Sequence, residues 1–304
     1  ITENMSATDK SADLLSIERS SQRSNPRLDM FKHAMRMPIV VWQAIFFVAP
    51  LFFLVAMSFF IVRNYRMTEA FEMKNWLKMM SRDYFWDSYG LTIGLASLAT
   101  LVVMTVAFPA AYALAFWVSE NTRRWFVFLL IIPFFTSYLV RTFSWYVILA
   151  ESGVINAMLG YFGLGPYIML NTKFGTIVGY MTLTLPLVII LQTFSLANID
   201  RTLVEAAHNL GCRPWRTIVQ VVLPLAKTGF IIAAVFCFIL SFGDFVSPYY
   251  LGGSKPPTLP ILIIDTVKSG QQWPRAAVVA VVMMVTLFIV AFGGIAAAYR
   301  RRVS

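Results

Sequence analysis

Six stretches of this chain are long enough and apolar enough to cross a lipid bilayer, and nothing else in the sequence restricts the fold as strongly. Residues 39–62 carry no charged side chain. At about 1.5 Å per residue, a helix of that length reaches roughly 36 Å, against a hydrocarbon core of about 30 Å. Runs at 91–118, 174–198 and 276–299 are also uncharged, 125–150 contains only Arg141, and 229–250 contains only Asp244. In hydrocarbon the backbone must satisfy its own hydrogen bonds, so the six runs are expected to be helices. The spans expected are about 39–62, 91–118, 125–150, 174–198, 229–250 and 276–299. The predicted fold class is an all-α membrane protein with six transmembrane helices.

Composition agrees. Hydrophobic residues make up 58% of the 304 residues and charged residues 13%, about half the charged share of an ordinary soluble domain. A net charge of +10 would suit a nucleic-acid partner, but the basic residues lie between the apolar runs, where they orient membrane proteins, so no nucleic acid is expected. Two cysteines and two well-separated histidines form neither a disulfide framework nor a metal site, and no catalytic or metal-binding residues are predicted. The polar residues 1–38 read as a cytoplasmic tail with helical character near Met30–Met37. They do not read as a signal peptide, since no short apolar core with a small-residue cleavage site follows. Pro50, Pro109, Pro133, Pro186 and Pro248 punctuate the runs and predict kinks.

Six spans place both ends on one side. The tail, residues 119–124, 199–228 and 300–304 hold fifteen Lys and Arg, and the opposite segments hold nine. Both termini are therefore expected to be cytoplasmic, with Arg300-Arg301-Arg302 as an anchor. Segment 63–90 is long enough for a small folded cap, with Trp76, Tyr84, Phe85 and Trp86 at the membrane interface.

Residues 199–228 form a long inner connection with a local code of their own. Asp200 is suited to cap a helix. Leu203, Ala206, Ala207 and Leu210 share a stripe on that helix, away from Glu205, His208 and Asn209. Gly211 suits the left-handed turn that ends it, and Pro214 suits the first position of a second helix, whose apolar side is Trp215, Ile218, Val219 and Val222. A hairpin of two short helices under the membrane is predicted over 200–228.

This hairpin carries a resemblance. Glu205-Ala206-Ala207, Gly211 four residues after Ala207, Val221, and Leu223-Pro224 match the EAA loop of the permease subunits of binding-protein-dependent ABC importers, with Val221 in place of isoleucine. The resemblance implies a type I ABC importer fold. In it, Glu205, Ala206, Ala207, Gly211, Leu223 and Pro224 belong to a cytoplasmic coupling loop that sits against an ATPase dimer and transmits its motion. No Gly-Lys dipeptide occurs, so a P-loop is not expected here. The chain is expected to need no cofactor of its own, with ATP and Mg bound by the partner ATPase. A second homologous permease and a periplasmic or lipid-anchored binding protein are the other partners implied, in contact with membrane lipid of the bacterial inner membrane.

Two further stretches resemble spermidine/putrescine permeases, the first of their two permease subunits: Pro133 to Trp145, and Phe242-Gly243-Asp244-Phe245-Val246-Ser247-Pro248 followed by Leu251-Gly252-Gly253. The implied substrate is a small cation. Asp244, about 22 Å along its span, is expected either to meet that cation or to pair with Arg141. Trp145, Tyr249 and Tyr250 are expected to line the path with cation–π contacts. Arg141 would repel an ammonium group and is expected to serve as a structural or ion-pair residue. The same machine importing another solute such as ferric iron is the nearest alternative. An ion-coupled secondary transporter would carry several intramembrane carboxylates, and a membrane enzyme would carry a reactive cluster; neither is seen in the sequence.

Overall fold

The computed structural model describes residues 37–63, 66–68 and 71–299. Most of the polar tail read over 1–38, including Met30–Arg36, and the Arg300-Arg301-Arg302 anchor lie outside the described residues. The chain divides into two units, one up to Ala56 and one from Met57 onward.

The described part of the first unit belongs to one helix, α1 (Met37–Met57). It widens into a π-helix over Ala44–Val48, where the Ala49 N–H reaches back to the Ala44 carbonyl. The local cause is Pro50, which has no N–H to donate and whose ring crowds the carbonyl one turn back.

The second unit opens with an antiparallel pair, β1 (Ile61–Arg63) and β2 (Arg66–Thr68), with Ile61 opposite Thr68. Helix α2 (Lys74–Met80) follows. Asn75 ties the cap together by donating to the carbonyls of Ser58 and Phe60, at 3.3 and 2.6 Å. The cap differs from the expectation in one respect. Phe85 is fully buried beside Phe242, Leu259 and Val278, while Tyr84 and Trp86 are exposed.

Helix α3 (Asp83–Phe116) starts eight residues before the expected span and is 34 residues long, or about 51 Å. Asp83 in its first turn favours that early start by meeting the positive end of the helix dipole. Ala96, Ala99, Val103, Ala107, Ala111 and Ala115 are all buried on one of its faces. Small residues at three- and four-residue spacing let neighbouring backbones approach closely, which is how helices associate without a hydrophobic driving force between them. Helix α7 (Lys173–Ala197) packs against this face, and buried Gln192 crosses the seam to donate to the Met104 carbonyl at 3.1 Å.

Two expected spans are broken. The run 125–150 divides into α4 (Glu120–Phe135) and α5 (Tyr138–Leu149). Thr136 turns the chain there, giving both its N–H and its hydroxyl to the Pro133 carbonyl at 3.3 and 2.8 Å. The run 229–250 divides at Asp244 into α10 (Lys227–Gly243) and α11 (Val246–Tyr250). The remaining helices are α6 (Val154–Tyr161), α8 (Arg201–Asn209), α9 (Pro214–Leu225), α12 (Leu259–Lys268) and α13 (Trp273–Tyr299). Among the described residues, five helical stretches are long and apolar enough to cross a membrane, namely α1, α3, α5 continued by α6, α7 and α13, and α9 with α10, bent by 77° at their junction, makes a sixth if the pair counts as one span. Leu98, Leu101, Phe128, Ile289 and Phe292 are among many apolar side chains left exposed, which suits lipid rather than water.

Candidate functional site: a coupling hairpin and a broken membrane helix

The hairpin at 200–228 is built from local signals. The Asp200 carboxylate accepts from the Thr202 N–H at 3.0 Å, and that hydrogen bond holds its carboxyl below the usual carboxylate range. At the other end of α8, Gly211 takes φ +80°. The Gly211 N–H reaches the His208 carbonyl at 2.9 Å and the Cys212 N–H reaches the Ala207 carbonyl at 3.0 Å, the paired bonds of a Schellman ending. Pro214 stands at the start of α9. A second π-helix, Ile218–Val222, precedes Pro224 as the first precedes Pro50, with the Leu223 N–H bonded to the Ile218 carbonyl.

Long-range packing ties the hairpin to the membrane helices. Val222 and Ala226 are buried with Ala111 and Ala115 of α3 and with Leu196 and Ile199 at the end of α7. Arg201 donates to the Ala115 carbonyl at 3.4 Å, and Ser195 to the Ala226 carbonyl at 3.0 Å. The hairpin is therefore joined to α3, to α7 and to the start of α10.

The expected apolar stripes do not face the core. On α8 only Ala207 is buried; Leu203 is 47% exposed and Leu210 85%, and Glu205 and Ala206 are exposed beside them. On α9 Trp215 and Val219 are exposed, while Thr217 and Val222 are buried. Leu223 is half-buried and Pro224 exposed. The packing against α3 and α7 takes up Val204, Val222 and Ala226; Ala207 is buried as well, and Leu203, Leu210, Trp215 and Val219 are left exposed.

The second region is the break at Asp244, whose side chain is buried. One carboxylate oxygen accepts from the Val246 N–H at 2.9 Å. The other accepts from the Ser247 N–H at 3.2 Å and from the Tyr138 hydroxyl at 2.6 Å. Asp244 thus caps α11 and joins it to the start of α5. The Tyr138 hydroxyl also contacts the Ser247 hydroxyl. Gly179 of α7 admits this corner, since a Cβ there would lie 2.4 Å from the Ser247 hydroxyl oxygen.

Arg141 is not the partner of Asp244. Its guanidinium donates to the Thr182 carbonyl at 3.2 Å and lies 5.9 Å from the centre of the Tyr138 ring, and among the described residues no ion pair joins it to Asp244. Of the two roles expected for Asp244, the pairing with Arg141 is not made; Tyr138 stands between them, bonded to Asp244 and with its ring toward the Arg141 guanidinium. Tyr250 packs on Phe143 with ring centres 4.7 Å apart and on Tyr249 at 5.0 Å, and Tyr249 is 42% exposed. Trp145 stands apart in an apolar cavity of about 440 Å³ with Phe174, Val178 and Leu185. Sequence reasoning missed Tyr138, Thr182 and Ser247. Two of them lay inside the stretches singled out above, but a lone hydroxyl in an apolar run gives no sign of its distant partner.

Comparisons with known proteins agree with this fold. Residues 104–304 match the family described as binding-protein-dependent transport system inner membrane component. The chain is 26% identical over 265 residues to the spermidine/putrescine transport system permease protein PotB of Haemophilus influenzae, covering 84% of this chain and 89% of that protein. It is 25% identical over 252 residues to the protein of the same name in Escherichia coli, covering 82% and 91%. Its fold resembles a chain in the crystal structure of a bacterial alginate ABC transporter in complex with an alginate pentasaccharide-bound periplasmic protein, with a TM-score of 0.67, 18% identity, and 88% and 93% of the two chains covered. With the family match spanning 201 of 304 residues, the chain belongs to the inner membrane components of binding-protein-dependent transport systems: it is a multi-pass ABC importer permease of the type I fold, not an enzyme.

Proposed function

We propose that this permease imports polyamines of the spermidine/putrescine class. It forms half of the path beside a second, homologous permease, driven by an ATPase dimer that binds ATP and Mg and supplied by an external binding protein. The observation that carries the coupling half of this reading is the outward face of α8. Leu203, Ala206 and Leu210 are exposed beside Glu205 on a hairpin anchored to three membrane helices. A stripe left largely exposed within its own unit, bordered by a carboxylate, suits a groove on a partner that offers an apolar floor and a basic or amide donor. Movement of that groove displaces α8 and α9 as one piece and tilts the helices attached to them.

The polyamine half is supported by relatives named for spermidine and putrescine and by the aromatic corner at α11. Tyr249 presents an exposed ring, the type of face that attracts an ammonium group. Asp244 contributes by holding α11 in place, because its carboxylate is already engaged by Tyr138 and two amides. Arg141 is drawn away from this corner by the Thr182 carbonyl. The basic-residue count, fifteen against nine, supports cytoplasmic termini and a cytoplasmic hairpin.

The test is uptake of labelled putrescine and spermidine, against other amines and ferric iron, in cells carrying the whole operon. Uptake of polyamines that disappears on deletion of this gene is expected. Uptake of iron alone would overturn the substrate assignment and leave the coupling role standing, and purification free of any ATP-hydrolysing subunit would overturn the coupling role.

A further inference from the structure

A polar cavity lies at the far end of α7 from the hairpin, about 37 Å along that helix. It holds about 250 Å³, and its lining includes Asn171, Thr172, Lys173, Thr176, Lys255 and Thr258. Two helices begin at it: α7 directly after Thr172, and the ten-residue α12 directly after Thr258. The Asn171 N–H bonds to the Leu251 carbonyl at 2.8 Å, which fixes the start of α7 to the segment that leads into α12.

Three features of this cavity point to a negatively charged occupant. Lys173 and Lys255 both line it, and no Asp or Glu is among its lining residues. The starts of α7 and α12 add the positive ends of two helix dipoles. The third feature is independent of charge. Thr258 is 2% exposed, and its hydroxyl has no hydrogen-bond partner. In the ordinary cap that hydroxyl would accept an N–H from the second or third position of α12, but no such bond forms: Pro260 at the second position has no N–H, and the Leu259 N–H is held by the Thr92 hydroxyl at 2.9 Å. A buried hydroxyl left unpaired is destabilising, and donation to an oxyanion would remove that cost.

We propose that this cavity is an oxyanion site that takes a phosphate group between Lys173 and Lys255, with the Thr258 hydroxyl as a buried donor. The phosphate is either free inorganic phosphate or the headgroup of an anionic phospholipid. This inference does not depend on the transported solute. A cationic substrate is the wrong charge for this cavity, and a bound phosphate would offset the repulsion its lysines exert on an approaching polyamine.

The experiment is lysine acetylation footprinting of the assembled transporter, read by mass spectrometry, with exposed Lys74 as internal control. One arm adds inorganic phosphate to lipid-stripped protein in neutral detergent, matched by chloride at equal ionic strength. The other compares nanodiscs of phosphatidylglycerol with nanodiscs of phosphatidylcholine. Protection of Lys173 and Lys255, but not Lys74, by phosphate in detergent supports a free anion. Protection confined to phosphatidylglycerol nanodiscs supports a lipid headgroup. In the supporting arm, Thr258→Val should weaken binding by about tenfold, the worth of one charge-assisted hydrogen bond. Equal reactivity of both lysines under all conditions, protection by chloride as strong as by phosphate, or protection produced only by adding the soluble binding protein would overturn the proposal. So would undiminished protection in Thr258→Val. If that variant does not assemble, the wild-type phosphate and chloride titrations still decide.

Discussion

The chain interrupts its helices in two ways, at Gly211 and at Asp244, and the contrast separates a surface made to be covered by another protein from a joint made to be closed by its own. At Gly211 the turn is open: a Cβ there would meet nothing within 4 Å, and apolar Leu210 beside it is 85% exposed. At Asp244 the break is closed by the side chain at its centre. The carboxylate holds two amides and a tyrosine hydroxyl in a region where water is not there to substitute. A break within the bilayer has to be satisfied from inside the protein, whereas a break in a solvent-facing hairpin can leave its surface for a partner.

The largest effect is expected from Asp244→Ala. It strands the Val246 and Ser247 amides in a buried site, at about 1–3 kcal/mol each, and leaves the Tyr138 hydroxyl with Ser247 alone, so thermal melting of the purified transporter and uptake should fall together. Asp244→Asn keeps an acceptor and should lose less of both. Full stability in Asp244→Ala would mean that the joint is not closed by this carboxylate.

Next comes Glu205→Lys, which should separate the two readouts. Glu205 is exposed, so melting should be unchanged, while loss of about 1.4 kcal/mol or more of docking would cut ATPase association tenfold or more. Normal uptake with normal association would remove α8 from the coupling role. Gly211→Val should cost about 1–2 kcal/mol, because a side chain is forced into the left-handed region. Gly211→Asn should be tolerated better, since asparagine visits that region and the space around it is open. Equal behaviour of the two variants would show that the turn relaxes.

The smallest effect concerns Asp200. Its carboxyl is held below the ordinary value of 3.8 by the Thr202 N–H. A lowered carboxyl value means that the cap contributes fully above that ordinary value and is lost as pH falls through the lower folded one. Amide hydrogen exchange in α8, taken relative to its intrinsic rate, should be independent of pH near neutrality and should rise only in strong acid. Asp200→Ala should remove that dependence, and an acid transition that survives in it would belong to another group.

Much of the hairpin was legible from the residues because its signals act over a few positions: Asp200 two residues before the amide it caps, Gly211 at the turn, Pro214 at the start of α9. The direction in which α8 faces was not legible. Leu203, Ala206, Ala207 and Leu210 form a stripe on a helical projection, but a stripe says only that one side is apolar: of its members only Ala207 is buried, and Val204 beside the stripe is the residue packed with α3 and α7. The early start of α3 was equally hidden, since a hydropathy run marks where lipid-compatible residues begin and a helix continues past it when the polar turn beyond is favourable.

Amino-acid order alone determined that the chain is a bilayer protein, that a two-helix hairpin interrupts its later apolar runs, and where that hairpin is capped and turned. These follow from the length of a hydrocarbon core and from hydrogen bonds between near neighbours. Tertiary structure decided that the runs at 125–150 and 229–250 break at Thr136 and Asp244, and that Asp244 answers to Tyr138, 106 positions away, rather than to Arg141. An isolated charge in an apolar run announces that it needs a partner; which partner it finds depends on how the helices pack, because a buried carboxylate takes the donors that the neighbouring backbone and side chains bring within reach.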